Sequence, residues 1–187
     1  MMSDAAVVTI LDILKRVQTP YMVVGSLSCN VYTFPRSTHD ADFVIQLDSA
    51  STPILMRALR EAFQIEPQMS FESITGTSRY KLESKETGFK IELFLLSDDA
   101  HDRERFARRK RLVVEGHEAC VASAEDVVIT KLRWSRQGQR SKDIDDARNV
   151  IASQRKNLDW TYVEAWCDRH GTRSILNDIV QKLPATK

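Results

Sequence analysis

Near the start of the chain, apolar residues recur at helical spacing. Val7, Ile10, Leu11, Leu14 and Val17 fall on one face, which predicts an amphipathic helix ending near Gln18. Thr19-Pro20 breaks it. Tyr21-Met22-Val23-Val24 is a short β-branched run of the kind that forms a buried strand. Gly25-Ser26 follows, and a short helix is expected over 27–33. In residues 40–47, DADFVIQL, the period changes to two. Ala41, Phe43, Ile45 and Leu47 share one side of a strand, and Asp40, Asp42 and Val44 share the other.

Helical spacing returns over 51–63, with Ile54, Leu55, Ala58, Leu59 and Ala62 on one face. Residues 79–84 and 89–96 read as two strands joined by a turn at Lys85-Glu86-Thr87-Gly88. A strongly charged helix is expected over 98–110. A hairpin is expected from 112–114 and 119–122, turning at Glu115-Gly116-His117. Ser123 followed by Glu125 and Asp126 marks a helix start, with a hydroxyl cap and acids in the first turn. That helix should reach about Arg136, then a polar break at 137–141, then helices over 142–153, 160–169 and 173–183. The chain thus passes from mixed α/β to all helix near residue 123. The expected division is a core over 1–122 and a helical extension over 123–187 packed on it.

Composition narrows the picture. With 187 residues, 42% of them hydrophobic and 28% charged, the chain can bury a core of one domain with a small extension. A formal net charge of +1 gives no general pull toward nucleic acid or an anionic membrane. Three scattered cysteines, Cys29, Cys120 and Cys167, form no CxxC pair. This argues against a disulfide framework or a zinc site and for a reduced, cytoplasmic setting in which they are buried apolar residues. The first residues carry an acid where a signal peptide carries basic groups, and no apolar stretch is long enough to span a membrane.

The chemistry concentrates in residues 24–44, VGSLSCNVYTFPRSTHDADFV. A strand ends in Gly25-Ser26 and a helix begins at once. Glycine admits close backbone approach, free N–H groups at a helix start favour a phosphate, and Ser26 adds a hydroxyl. Asp40 and Asp42, two apart on a strand, point the same way. Two like charges so close are costly unless a cation or hydrogen bonds compensate, and Mg²⁺ prefers carboxylate and phosphate oxygens. Glu92, an acid inside the apolar strand Lys90-Ile91-Glu92-Leu93-Phe94, is the candidate third acid; the alternative is an edge-strand surface acid paired with Lys81 or Lys90.

Gly25-Ser26 together with Pro35-Arg36-Ser37-Thr38-His39-Asp40-Ala41-Asp42 resembles the signature of the DNA polymerase β-like nucleotidyltransferase superfamily. The subgroup it looks most like is the AbiEii-type and related uncharacterised bacterial nucleotidyltransferases, some of them toxins of toxin–antitoxin pairs. Downstream, Lys131-Leu132 and Lys142-Asp143-Ile144-Asp145-Asp146 are similar to the family's lysine helix and later Asp-x-x-Asp segment. The resemblance spans roughly residues 20 to 150. It implies a nucleotidyltransferase fold: a mixed twisted sheet flanked by helices, with a C-terminal helical extension. It further implies metal ligation by Asp40, Asp42 and Glu92, and nucleotide binding by Gly25, Ser26, Arg36, Thr38, Lys131, Asp143 and Asp146. Two Mg²⁺ ions and a nucleoside triphosphate would be bound. A nucleoside monophosphate would pass to an acceptor hydroxyl on a tRNA end, a protein or a small molecule, with an antitoxin as a further partner. Phe34, where the family often has glycine, and Glu92, where aspartate is common, depart from the pattern. They leave a second reading open, a catalytically weak module that binds nucleotide or partner.

Several residues also admit plainer readings. Lys131 is either a phosphate ligand or an exposed helix lysine. Asp143 and Asp146 either line the pocket or pair with Lys142 or Arg148 along their helix. The basic run 103–111 is a solvated helix face or a contact for RNA or another anionic partner. Trp134, Trp160 and Trp166 read as packing residues.

Overall fold

The computed structural model describes residues 2–138 and 141–184, with side chains from residue 5 onward. In chain order the elements are α1 (Met2–Arg16), β1 (Tyr21–Val24), α2 (Gly25–Tyr32), β2 (Asp40–Ile45), α3 (Ser51–Ala62), β3 (Phe63–Ile65), β4 (Ser70–Glu72), β5 (Thr77–Ser84), β6 (Lys90–Leu95), α4 (Ala100–Ala107), β7 (Lys110–Val114), β8 (His117–Val121), α5 (Ala124–Gly138), α6 (Ser141–Gln154), α7 (Trp160–His170) and α8 (Arg173–Lys182). The strands form one mixed sheet in the order β3-β5-β6-β2-β1-β8-β7, with β4 added on β5. β1 and β2 are antiparallel, whereas β2–β6 and β1–β8 are parallel.

The period-two strands have an apolar layer on each side. Val23, Ala41, Phe43, Ile45, Ile91 and Leu93 pack with Ile10 and Leu14 of α1 and Leu55 and Leu59 of α3. Met22, Val24, Val44 and Phe94 face the other way, against Val128, Leu132, Val150, Val163 and Ile179 of the C-terminal helices. Two buried faces explain why β1 and β2 are so apolar, and why the outliers Asp40 and Asp42 stand out.

Most expected elements are present, with three differences. β3 and β4 were not foreseen. Three-residue strands are too short to show a period, and Phe63, read as the end of a helix, turns to extended backbone (φ −123°, ψ 147°). The charged helix is shorter than expected. Asp99 caps it by accepting from the N–H groups of His101 and Asp102, and it ends at Ala107, so Lys110 and Arg111 enter β7. The basic run is therefore not one solvated helical face: Arg105 is buried and donates from Nε to Asp102 at 2.8 Å. Finally, α5 continues to Gly138, while Gln139 and Arg140, in the middle of the expected polar break, lie outside the described residues.

Candidate active site

The site is built where β1 hands over to α2. Val24 lies opposite Asp42 in the β1–β2 register, so the Gly25 turn sits beside the Asp42 side chain. Gly25 has φ +63°, and a Cβ there would lie 2.1 Å from Asp42 Oδ2. Both the backbone conformation and the close approach demand glycine. Asp40, two residues earlier on the same face, is exposed.

β6 runs parallel to β2 and sets Glu92 opposite Asp42. Burial first, then the charges of Asp40 and Glu92, push the Asp42 carboxyl up to about 7, against the pull of Lys131 and Arg79. Such a carboxylate gains from any cation placed beside it. Among the described residues no three His, Cys, Asp or Glu side chains already cage a metal ion. Mg²⁺ does not need such a cage, since it commonly takes one or two carboxylates and completes its shell with substrate phosphates and water. Asp40 and Asp42 fit that demand. Glu92 is committed elsewhere: its Oε2 accepts from Arg79 Nη1 at 2.8 Å, with both side chains about one quarter exposed (25% and 24%). The expected alternative partners, Lys81 and Lys90, are not the ones used. β6 is also an interior strand, between β5 and β2.

A cleft of about 270 Å³ opens over these groups, lined by Gly25, Asp40, Asp42 and Glu92 from the sheet side and by Lys131 and Asp143 from the helices. Lys131 Nζ bridges Asp143 Oδ1 at 2.8 Å and Asp146 Oδ2 at 2.9 Å. Burial works against its charge, but Cys29 and the two carboxylates outweigh that and hold the ammonium above its ordinary pKa. Arg36 Nη2 donates to both oxygens of Asp146, at 2.8 and 3.0 Å, and to Ser26 Oγ at 3.3 Å. Burial works against the Asp146 carboxylate, but Lys131 and Arg36 prevail and hold its pKa below the usual range. Asp143 and Asp146 thus pair across the fold, not along α6; Arg148 pairs with Asp145 instead.

Six of the expected site residues, Gly25, Asp40, Asp42, Glu92, Lys131 and Asp143, line one cleft. Ser26, Arg36 and Asp146 do not line it; Arg36 joins the other two, and Thr38 is half-buried in the loop before β2. Ser28, not Ser26, lines the cleft; its hydroxyl donates to the Gly25 carbonyl at 2.8 Å and braces the turn.

Sequence reasoning passed over Arg79, Phe94, Trp134, Asp102, Arg105 and Asp126, which also line the cleft. Trp134, expected only to pack, meets Phe94 edge-on at 6.4 Å and still borders the opening. Asp102 accepts from Ser97 and Arg105, and Asp126 accepts from Ser123 and Tyr162, with His101 Nε2 at 3.1 Å. Arg79 had a signal: a hairpin turning at 85–88 puts residue 81 opposite Glu92, and Arg79 on the same face two places on.

No family model and no curated protein matches the chain in sequence. Solved structures do match in fold. The antibiotic-resistance factor ANT(2'')-Ia, in complex with adenylyl-2''-tobramycin, superposes with a TM-score of 0.64 at 12% identity, over 93% of this chain and 99% of that one. Its solution structure gives 0.62 at 12% identity, over 95% and 96%. An antigenic nucleotidyltransferase-like protein from Paracoccidioides brasiliensis gives 0.58 at 19% identity, over 96% and 92%. The mixed sheet, its flanking helices and its C-terminal helices are those of the nucleotidyltransferase fold.

Proposed function

We propose that the protein is a Mg²⁺-dependent nucleotidyltransferase that moves a nucleoside monophosphate from a nucleoside triphosphate to an acceptor hydroxyl. The observation that carries this reading is the wedge of Asp42 against the Gly25 turn. It puts a cation-seeking carboxylate pair at the start of a helix whose first N–H groups favour phosphate. Mg²⁺ bound there would neutralise the triphosphate and sharpen the electrophilicity of its α-phosphorus. Asp40 and Asp42 would hold the ion, and the Gly25 turn, braced by Ser28, would orient the phosphates. Lys131, which lines the cleft, would offset the charge of the departing pyrophosphate, with Arg36 holding Asp146 beside it. The acceptor oxygen would bond to the α-phosphorus as the α–β bridging bond breaks, with the hydroxyl proton passing to Glu92 or to water. Positioning and charge neutralisation supply most of such catalysis.

Among acceptors, a small molecule is favoured over a tRNA end or a protein. The cleft is modest, and ANT(2'')-Ia, similar over nearly all of both chains, is seen with an adenylylated small molecule. The AbiEii-type affinity, a toxin role with an antitoxin partner and a cytoplasmic setting belong to the same proposal, and rest on the Arg36-x-Thr38-x-Asp40-x-Asp42 segment and the three free thiols. One observation favours a second reading, a nucleotide-binding module with weak turnover: Glu92 is engaged by Arg79.

Label transfer separates the two. The protein is incubated with Mg²⁺ and each α-labelled nucleoside triphosphate, with small-molecule extract, total RNA and total protein as acceptors. The Asp40→Ala, Asp42→Ala double variant is the control. Label that moves to one acceptor class, and fails to move in the variant, supports the enzyme. Mg²⁺-dependent binding of nucleotide without transfer to any acceptor refutes it in favour of the binding module.

A further inference from the structure

Arg79 sets a fixed positive charge beside Glu92 in the cleft that Asp40 and Asp42 line. It projects from β5 onto the face that carries Glu92, two residues along from Lys81, the register partner of Glu92. Its Nη1 donates to Glu92 Oε2 at 2.8 Å, and its guanidinium lies 5.3 Å from the centre of the Phe94 ring. It lines the same cleft as Asp40 and Asp42. A half-buried, charge-assisted pair of this kind is not given up cheaply: a metal ion taking Glu92 would strand Arg79 over Phe94 and stand beside a fixed positive charge. The three acids also form no ready metal cage.

We propose that Arg79 is a positioning residue that holds Glu92 toward the acceptor hydroxyl and keeps it from ligating a second metal ion, so that the site works with one Mg²⁺ held by Asp40 and Asp42. This rests on the nucleotidyltransferase reading and changes its metal count. The guanidinium does part of what the second ion does elsewhere. It neutralises charge beside Asp42 and fixes the carboxylate that faces the acceptor, while Glu92 Oε1, bonded to none of the described residues, would accept the hydroxyl proton.

The test counts metal directly, with Mn²⁺ alone as the probe and electron paramagnetic resonance of unbound Mn²⁺ as the readout. The full chain should bind one Mn²⁺, lost in Asp42→Asn. Glu92→Gln should keep that ion, with an affinity change below about tenfold from the lost charge, whereas removing even an outer partner of a metal ligand costs about 10–100-fold. Arg79→Gln should admit a second ion, Arg79→Lys should not, and Arg79→Gln with Glu92→Gln should return to one. Two ions in the unaltered chain, or loss of an ion in Glu92→Gln, would overturn the inference even if Arg79→Gln failed to fold. A single ion in Arg79→Gln would overturn it too. Absence of any Asp42-dependent ion would instead bring down the nucleotidyltransferase reading itself, and this inference with it.

Discussion

Replacing Asp42 by asparagine should stabilise the protein in the absence of divalent metal. Burial and the neighbouring charges of Asp40 and Glu92 lift the Asp42 carboxyl from 3.8 to about 7. The folded state therefore holds a proton that the unfolded chain releases throughout that window. Because the native state binds more protons there, stability falls as pH rises from about 4 to 7, and the full cost is present above pH 7. A displacement of about three pH units caps that cost at roughly 4 kcal/mol. Water in the cleft and sharing among the three acids reduce it, so we expect about 1–2 kcal/mol. Asparagine keeps the shape and cannot ionise. At pH 8, without metal, Asp42→Asn should then melt about 3–6 °C above the unaltered protein, and at pH 5 the two should nearly coincide. Mg²⁺ at pH 8 should raise the melting temperature of the unaltered protein and leave the variant where it is. Differential scanning fluorimetry across pH 5–8, with EDTA or with Mg²⁺, measures all of this. A variant that melts lower at pH 8, or a gap that does not change with pH, refutes the reasoning.

Three further outcomes follow from the same geometry. Gly25→Ala should cost about 2–3 kcal/mol, from a positive φ together with a Cβ 2.1 Å from Asp42 Oδ2, and should abolish Asp42-dependent Mn²⁺ binding; urea unfolding and metal titration check each part. Lys131→Met should be destabilising, by about 3 kcal/mol in urea unfolding, because it strands the buried Asp143 carboxylate and leaves Asp146 to Arg36 alone. His170 has its pKa lowered to about 4 by burial and by the nearby Arg133 and His101 charges. Its ring should stay neutral in an NMR titration from pH 7 down to about 5 and be half protonated near 4. Its contribution to stability is present above the unfolded value of 6.5 and is lost as pH falls toward 4.

Local pattern carried much of this protein. A period of two in residues 40–45 put Asp40 and Asp42 on one face and Ala41, Phe43 and Ile45 on the other, and the structure has them so. Strand, glycine and helix in immediate succession marked the turn at Gly25, because a positive φ and a crowded backbone leave a signature in residue type. Helical spacing found the C-terminal helices because each buries an apolar stripe in the second core cluster. What only the tertiary structure decided is who pairs with whom. Arg36 and Asp146 stand 110 positions apart and still share a hydrogen bond of 2.8 Å. Lys131 read equally as a phosphate ligand or an exposed helix lysine, and only the docking of α6 brought two carboxylates to it. Glu92 looked available to a metal until β5 brought Arg79 across. Periodicity reports which face of an element is buried, since burial acts on each residue separately. A charge is satisfied by one particular partner, and that partner is fixed only when the elements dock.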